Sequence, residues 1–243
     1  MAEWCPNGKL RAIPVKLLFN APELNLRAQY NAFDRSSGRP ECVGDGQSAR
    51  RNSDQGIEEV PCPSPGGCEF GREWGCKLFG RLNVQIDGQD DELGSFILRT
   101  TGYNSVRTLA ARLEYLNAIS GGNARHLPLM LRLRAKSTTL SYRTPVYYVD
   151  LTLREGESLT GAVSNAKAEA LRQKEAGVEA GQLEQKARQA LANGSFEESV
   201  DDGSAVVDEF YPEEPEAEAG QEPAPTTVTL TRPAKLTNRL GRS

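Results

Sequence analysis

Apolar and polar positions alternate with period two along several stretches, and each predicts a strand. Leu82, Val84 and Ile86 share one face of Leu78–Ile86, and Asp87-Gly88 supplies the turn that follows. Gly94–Thr101 reads as another strand. Lys9–Phe19 is strand-like, with Pro14 marking an edge position or a bulge. In Leu127–Lys136, Leu127, Leu129, Leu131 and Leu133 face one way while Arg132, Arg134 and Lys136 face the other. After a turn or short extension around 138–144, Pro145–Leu153 is β-branched and aromatic, as strands favour. One stretch steps by three and four instead: Val106, Leu109, Ala110, Leu113, Leu116 and Ile119. This predicts a helix capped by Asn104 or Ser105 and ended by Gly121.

The order is strand, loop, strand, strand, helix, strand, strand. With the loop removed it is βββαββ, the element order of an oligonucleotide-binding barrel. The expected fold is therefore α+β: a five-stranded, mostly antiparallel sheet or OB-like barrel with one packed helix. A cysteine-rich loop over 40–77 is inserted after the first strand, and residues 1–154 form the domain. Beyond it, Val163–Leu191 is rich in Ala, Glu, Gln and Lys, broken at Gly177 and Gly181. Its apolar face is mostly alanine, so an exposed helical arm over 155–194 is expected, as a spacer or a docking element.

Charge changes the picture at the C-terminal end. Residues 1–154 carry 20 Lys and Arg against 16 Asp and Glu, whereas residues 195–222 carry 11 acidic groups and no basic one. The last stretch, 223–243, has four basic groups and no acid. An acidic, Pro-containing strip with little to bury cannot offset its ordering entropy, so 195–243 is expected to be a disordered acidic strip with a basic tip. The strip either solvates the chain or touches its basic surface until a partner displaces it. No run approaches the ~18 apolar residues of a membrane span, and Met1–Pro6 lacks a signal-peptide pattern. A soluble, cytoplasmic protein with no membrane partner is expected.

The chain contains one histidine, His126, between the predicted helix and a strand. Zinc hydrolases and Ser/His or Cys/His nucleophilic enzymes need imidazole as ligand or base, so an enzyme is disfavoured. Gly44-Asp45-Gly46 lacks the Lys-Ser/Thr of a phosphate loop. Asp87, Asp90, Asp91 and Glu92 read as a solvated turn rather than a cation site.

Four of the five cysteines fall within 35 residues, as Cys42-x19-Cys62-x5-Cys68-x7-Cys76, among many Gly and Pro and few large apolar side chains. Such a segment cannot build its own core. In a reducing compartment a structural metal is the usual fixative, and four thiolates suit tetrahedral Zn²⁺ in a closed, non-catalytic site. The spacing is not a pair of CxxC knuckles, and four incidental thiols are the competing reading. Cys5 is remote and is left out of the set.

Arg132, Arg134 and Lys136, followed by Tyr142 and Arg143, form the most pointed nucleic-acid signal, because cations meet phosphates and aromatic faces stack on unpaired bases. Half-exposed strands also carry such residues merely for solubility.

From about Glu41 to Leu153 the chain resembles the recombination directionality factors of phages with large serine integrases. The resemblance lies in Cys42-Val43-Gly44-Asp45-Gly46, the spaced cysteines ending in Cys76-Lys77, and the strand Arg81–Ile86. It continues through Gly94–Ser105 into the helix, and from Pro128–Arg134 to Val146–Leu153. It implies zinc-type cysteines and an accessory protein of a phage or mobile element that binds an integrase and redirects recombination toward excision. Phe70, Trp74 and Phe79 would present or buttress the contact surface for that recombinase. The first 40 residues and the acidic strip contribute nothing to this resemblance. The alternative function is a single-stranded DNA-binding, OB-like protein with an acidic regulatory tail.

Overall fold

The structure is a computed structural model and describes residues 11–91, 93–137, 139 and 142–192. Among these residues, nine strands join in one antiparallel sheet: β1 (Ala12–Leu17), β2 (Leu26–Phe33), β3 (Pro40–Gly44), β4 (Ser48–Ser53), β5 (Gly56–Pro61), β6 (Lys77–Ile86), β7 (Phe96–Thr100), β8 (Leu129–Lys136) and β9 (Val146–Leu153). The path is β5-β4-β3-β2-β6-β1-β8-β9, with β7 also on β6, and it does not close into a barrel. The helices are α1 (Pro22–Asn25), α2 (Ser64–Gly67), α3 (Glu69–Glu73), α4 (Tyr103–Ser120), α5 (Leu159–Glu175) and α6 (Ala180–Ala192). The expectation of an α+β chain dominated by antiparallel pairing therefore holds. The five-strand count and the barrel do not.

The central strand explains the difference. Leu82 of β6 pairs with Leu26 on β2 and with Leu98 on β7, while Val84 pairs with Leu17 on β1 and with Phe96 on β7. A strand has two hydrogen-bonding edges, so β1 and β2 share one edge of β6 and β7 holds the other. The sheet thus forks into a β1-β8-β9 branch and a β2-β3-β4-β5 branch. Asn25, fully buried, holds the fork. Its Nδ2 donates to the Phe19 and Ala21 carbonyls (2.8 and 2.9 Å), and its Oδ1 accepts from the Leu18 and Phe19 N–H groups (3.2 and 3.1 Å).

The core lies between the β6-β1-β8-β9 part of the sheet and α4. Leu109, Leu113 and Leu116 of the predicted helix stripe meet Val15, Leu82, Leu129, Leu131 and Leu151. Gly121, with φ of +65°, ends α4 as expected, because only glycine takes that backbone angle without strain. Ser105 is not the N-cap. It is buried, and its Oγ accepts from the Val149 N–H (3.1 Å), satisfying a backbone donor of β9. Gly80 is required by close approach: a Cβ there would stand 2.6 Å from Val106 Cγ2.

The helices expected as an exposed arm are anchored on their small residues. Ala162 and Ala166 of α5 are fully buried in the main core. Ala187 of α6 packs with Ala21 and Leu24, while Glu184 Oε1 accepts from the Asn20 and Ala21 N–H groups (2.8 and 3.1 Å). An alanine face buries little area per residue, but it lets a helix lie close to what it covers. The acidic strip and basic tip of 195–243, and Cys5, lie outside the described residues. No helix among the described residues is long and apolar enough to cross a membrane.

Candidate functional site

The segment expected to be a shapeless loop contains three strands and two one-turn helices, and these place the four cysteines. β3 and β4 join through a turn in which Asp45 Oδ1 accepts from the Gln47 and Ser48 N–H groups (2.7 and 2.9 Å). Cys42 lies on β3, with Ala32 of β2 on one side and Arg51 of β4 on the other. Cys62 follows β5 and donates its N–H to the Gln47 carbonyl (2.9 Å), closing the far end of the hairpin. Cys68 caps α3, its Sγ accepting from the Gly71 N–H (3.3 Å), and the Cys76 N–H donates to the Gly71 carbonyl (2.7 Å).

All four cysteines line one small cavity of about 10 Å³, with Tyr30, Gly44, Ala49 and Arg51 in the same wall. This has room for a single ion, not for an organic ligand. Two glycines make the convergence possible. A Cβ on Gly44 would lie 2.6 Å from Cys62 Sγ and 2.9 Å from the Ala49 Cβ. One on Gly71 would lie 3.2 Å from the Cys76 Cβ and 3.3 Å from the Cys68 Cβ. Burial, and then the proximity of Cys42, Cys62 and Cys68, push the Cys76 thiol up to about 11. Cys76 is thus within electrostatic reach of the other three sulfurs. All four are free thiols. Among the described residues no three His, Cys, Asp or Glu side chains already stand at metal-holding geometry. The donor set and the glycine cradle fit a thiophilic ion.

An aromatic pair covers this cluster. Phe70 and Trp74, one helical turn apart, stack with centroids 5.4 Å apart and planes 15° from parallel. The Arg51 guanidinium lies over the Phe70 ring at 4.1 Å. Phe79 differs: it is 2% exposed and meets Phe33 edge-on at 5.1 Å, so it can buttress a surface but cannot present one.

The basic residues of β8 each have a polar partner, and Arg134 and Lys136 are exposed. Arg132 pairs with Glu155 (2.7 Å), and Arg134 with the buried Asp150 (2.7 Å), which also holds Arg112 (3.0 Å). Lys136 donates to Asn104 Oδ1 (2.7 Å) and lies 5.7 Å from the centre of the Tyr148 ring. Tyr142 and Arg143 stand apart at the β8–β9 turn with φ of +50° and +62°, Tyr142 being 92% exposed. The alternation of basic residues was legible in sequence; the pairing of Arg132 with Glu155 and of Arg134 with Asp150 was not. Asp87, expected in a solvated turn, is bound by Lys16 (2.9 Å) and Arg154. His126 sits in the 3₁₀ turn Ala124–His126, where burial and then Arg125 hold its pKa below the ordinary value against the pull of Glu169.

These features define an α+β protein built on one forked antiparallel sheet, with a thiol-lined cluster under an aromatic pair on its β2–β5 branch. Over residues 3–154 the chain matches the model of the Gp3-like family, described as recombination directionality factor-like, and it belongs to that family. It is accordingly a phage recombination-related protein. The match begins well before Glu41, so β1 and β2 belong to the shared domain, as the pairing of both with β6 requires. No curated protein and no solved structure matches the chain.

Proposed function

We propose that the protein is a zinc-stabilised recombination directionality factor that binds a recombinase of the integrase type. Cys42, Cys62, Cys68 and Cys76 would hold one structural Zn²⁺, which supplies a rigid crosslink between the β3–β5 hairpins and the 61–76 segment. The observation that carries this reading is the convergence of four cysteines, from separate elements, on one ion-sized cavity in a chain of this family. A segment whose own core is small, Ala32, Cys42 and Ala49 with Val60, Phe70 and Trp74 packed against them, gains by such a crosslink order beyond what that core supplies. The Phe70–Trp74 pair, seated on the cluster, offers the partner a flat aromatic contact of the kind enriched at interface hot spots.

Two measurements test the proposal. Elemental analysis of protein purified with reductant should show one zinc per chain. Pull-down with an integrase encoded beside it, and an excision assay, should show binding and a switch in recombination direction. Zinc-free folded protein would remove the metal, and an absence of both binding and directional effect would remove the recombinase role. Steeply salt-dependent binding of the protein alone to a single-stranded oligonucleotide, lost on substitution of Tyr142 and Arg143, would favour the DNA-binding alternative.

A further inference from the structure

Arg51 is an unusual residue for the wall of a thiol cavity. Antiparallel pairing puts it directly opposite Cys42. Its Nη2 lies 3.7 Å from Cys68 Sγ, and its guanidinium is held over the Phe70 ring at 4.1 Å. Its Nε is shielded from solvent and has no hydrogen-bond partner. Among the described residues no carboxylate pairs with it: Glu58, its neighbour across β4 and β5, bonds to Ser53 instead. A partly buried cation without an anion is costly, and a neutral thiol is a poor acceptor. The acceptor its guanidinium does meet is a sulfur of the cavity, Cys68 Sγ.

Four thiolates around a dication leave a net charge of about −2, which is itself costly in a partly buried site. A fixed guanidinium against one sulfur offsets part of that charge and donates a charge-assisted hydrogen bond to it. We infer that Arg51 is the charge-balancing and positioning residue of the thiolate site, raising its affinity for a thiophilic dication and holding Phe70 over it. This rests on the zinc reading above and goes beyond it by assigning the residue that makes the sulfurs good ligands. The same guanidinium touches Cys68 on one side and the Phe70–Trp74 stack on the other, so it links the ion to the proposed contact surface.

The test is competition for zinc between the full chain and a chromogenic chelator, for the wild type, R51Q, R51K and R50Q. Arg50 is the sequence neighbour and points to the opposite face of β4, so R50Q controls for overall charge. R51Q should weaken zinc binding by about 10- to 100-fold, the usual effect of losing a residue that supports metal ligands. R51K keeps the charge but not the planar contact with Phe70, and should recover part of the loss. R50Q should match the wild type. If the wild type takes up no zinc, the metal reading itself fails. If the wild type binds one zinc and R51Q binds within twofold of it, or R50Q loses as much, Arg51 has no such role while the metal reading stands. Should R51Q fail to fold, R51M, neutral and of similar length, takes its place: affinity within twofold of the wild type overturns the proposal, and a loss of about tenfold or more supports it.

Discussion

Gly44→Ala is the most direct perturbation of the thiol cluster, because it adds one methyl group and removes no contact. That methyl would stand 2.6 Å from Cys62 Sγ, 3.1 Å from the Cys62 Cβ and 2.9 Å from the Ala49 Cβ. The sulfur can swing away about χ1, but the two Cβ atoms are fixed to the backbone. β3 and β4 must therefore part by several tenths of an ångström, and Cys62 must leave the cavity it shares with Cys42, Cys68 and Cys76. Overpacking of this kind costs about 1–3 kcal/mol. For a domain of this size that lowers the melting temperature by roughly 2–12 °C. The assay is a thermal melt followed by circular dichroism, with zinc retention read by chelator competition on the same samples. Gly66→Ala is the matched control, since a Cβ there meets nothing within 4 Å. A Gly44→Ala protein that melts with the wild type and retains zinc equally would refute both the packing argument and the single-cavity geometry.

Other parts of the structure give independent expectations. Asp150→Ala strands Arg112 and Arg134 beside a buried site; because both guanidinium groups are about half exposed (47%) and can turn to water, the loss should be about 1–3 kcal/mol by urea denaturation, and a neutral result would show the pairs to be dispensable. Stability should fall on acidification in two stages: below the ordinary histidine range, because burial lowers the folded pKa of His126, and again in the carboxylate range. In that second stage, burial opposes ionisation of Asp87, but Lys16 and Arg154 outweigh it and hold its pKa below the usual value. Both contributions are present at neutral pH; that of His126 is lost as pH falls below its ordinary value of 6.5 and that of Asp87 below 3.8, so a melting temperature that rises as pH falls through either range would contradict the corresponding contribution. Glu184→Ala removes the acceptor for the Asn20 and Ala21 N–H groups and should speed hydrogen exchange across α6, at a cost of about 0.5–2 kcal/mol, while leaving α4 protected.

The β2–β5 branch was missed, with 40–77 read as a loop, although the spacing of its turn residues carries a signal for it. Asp34 to Gly38, Asp45-Gly46 and Asp54-Gln55-Gly56 recur about every ten residues, the rhythm of a meander. In the structure Asp34 and Asp45 hold their turns, accepting from the Ser36 N–H (2.8 Å) and the Gln47 N–H (2.7 Å). The strands between them escape a hydrophobic pattern because they are short and polar, as in Ser48–Ser53. They persist because each is laddered to a neighbour, ultimately to β2 on β6. Alanine is similarly ambiguous in sequence: at 162 and 166 it reads as a shallow face, yet it is buried because small side chains allow close helix packing.

The sequence alone determined the features that depend on local periodicity and residue chemistry: the α4 stripe and its glycine stop, strands β6 to β9, and the four thiols as a set. Those properties reside in neighbours two to four residues apart, or in what a side chain can bond. Only the tertiary structure decided which edge of β6 each strand takes, that Glu155 and Asp150 pair with Arg132 and Arg134 of the basic strand, and that Arg51 comes to stand against Cys68. Such pairings join residues far apart in the chain, and they are chosen by backbone hydrogen bonding and burial across the whole sheet rather than by any local pattern.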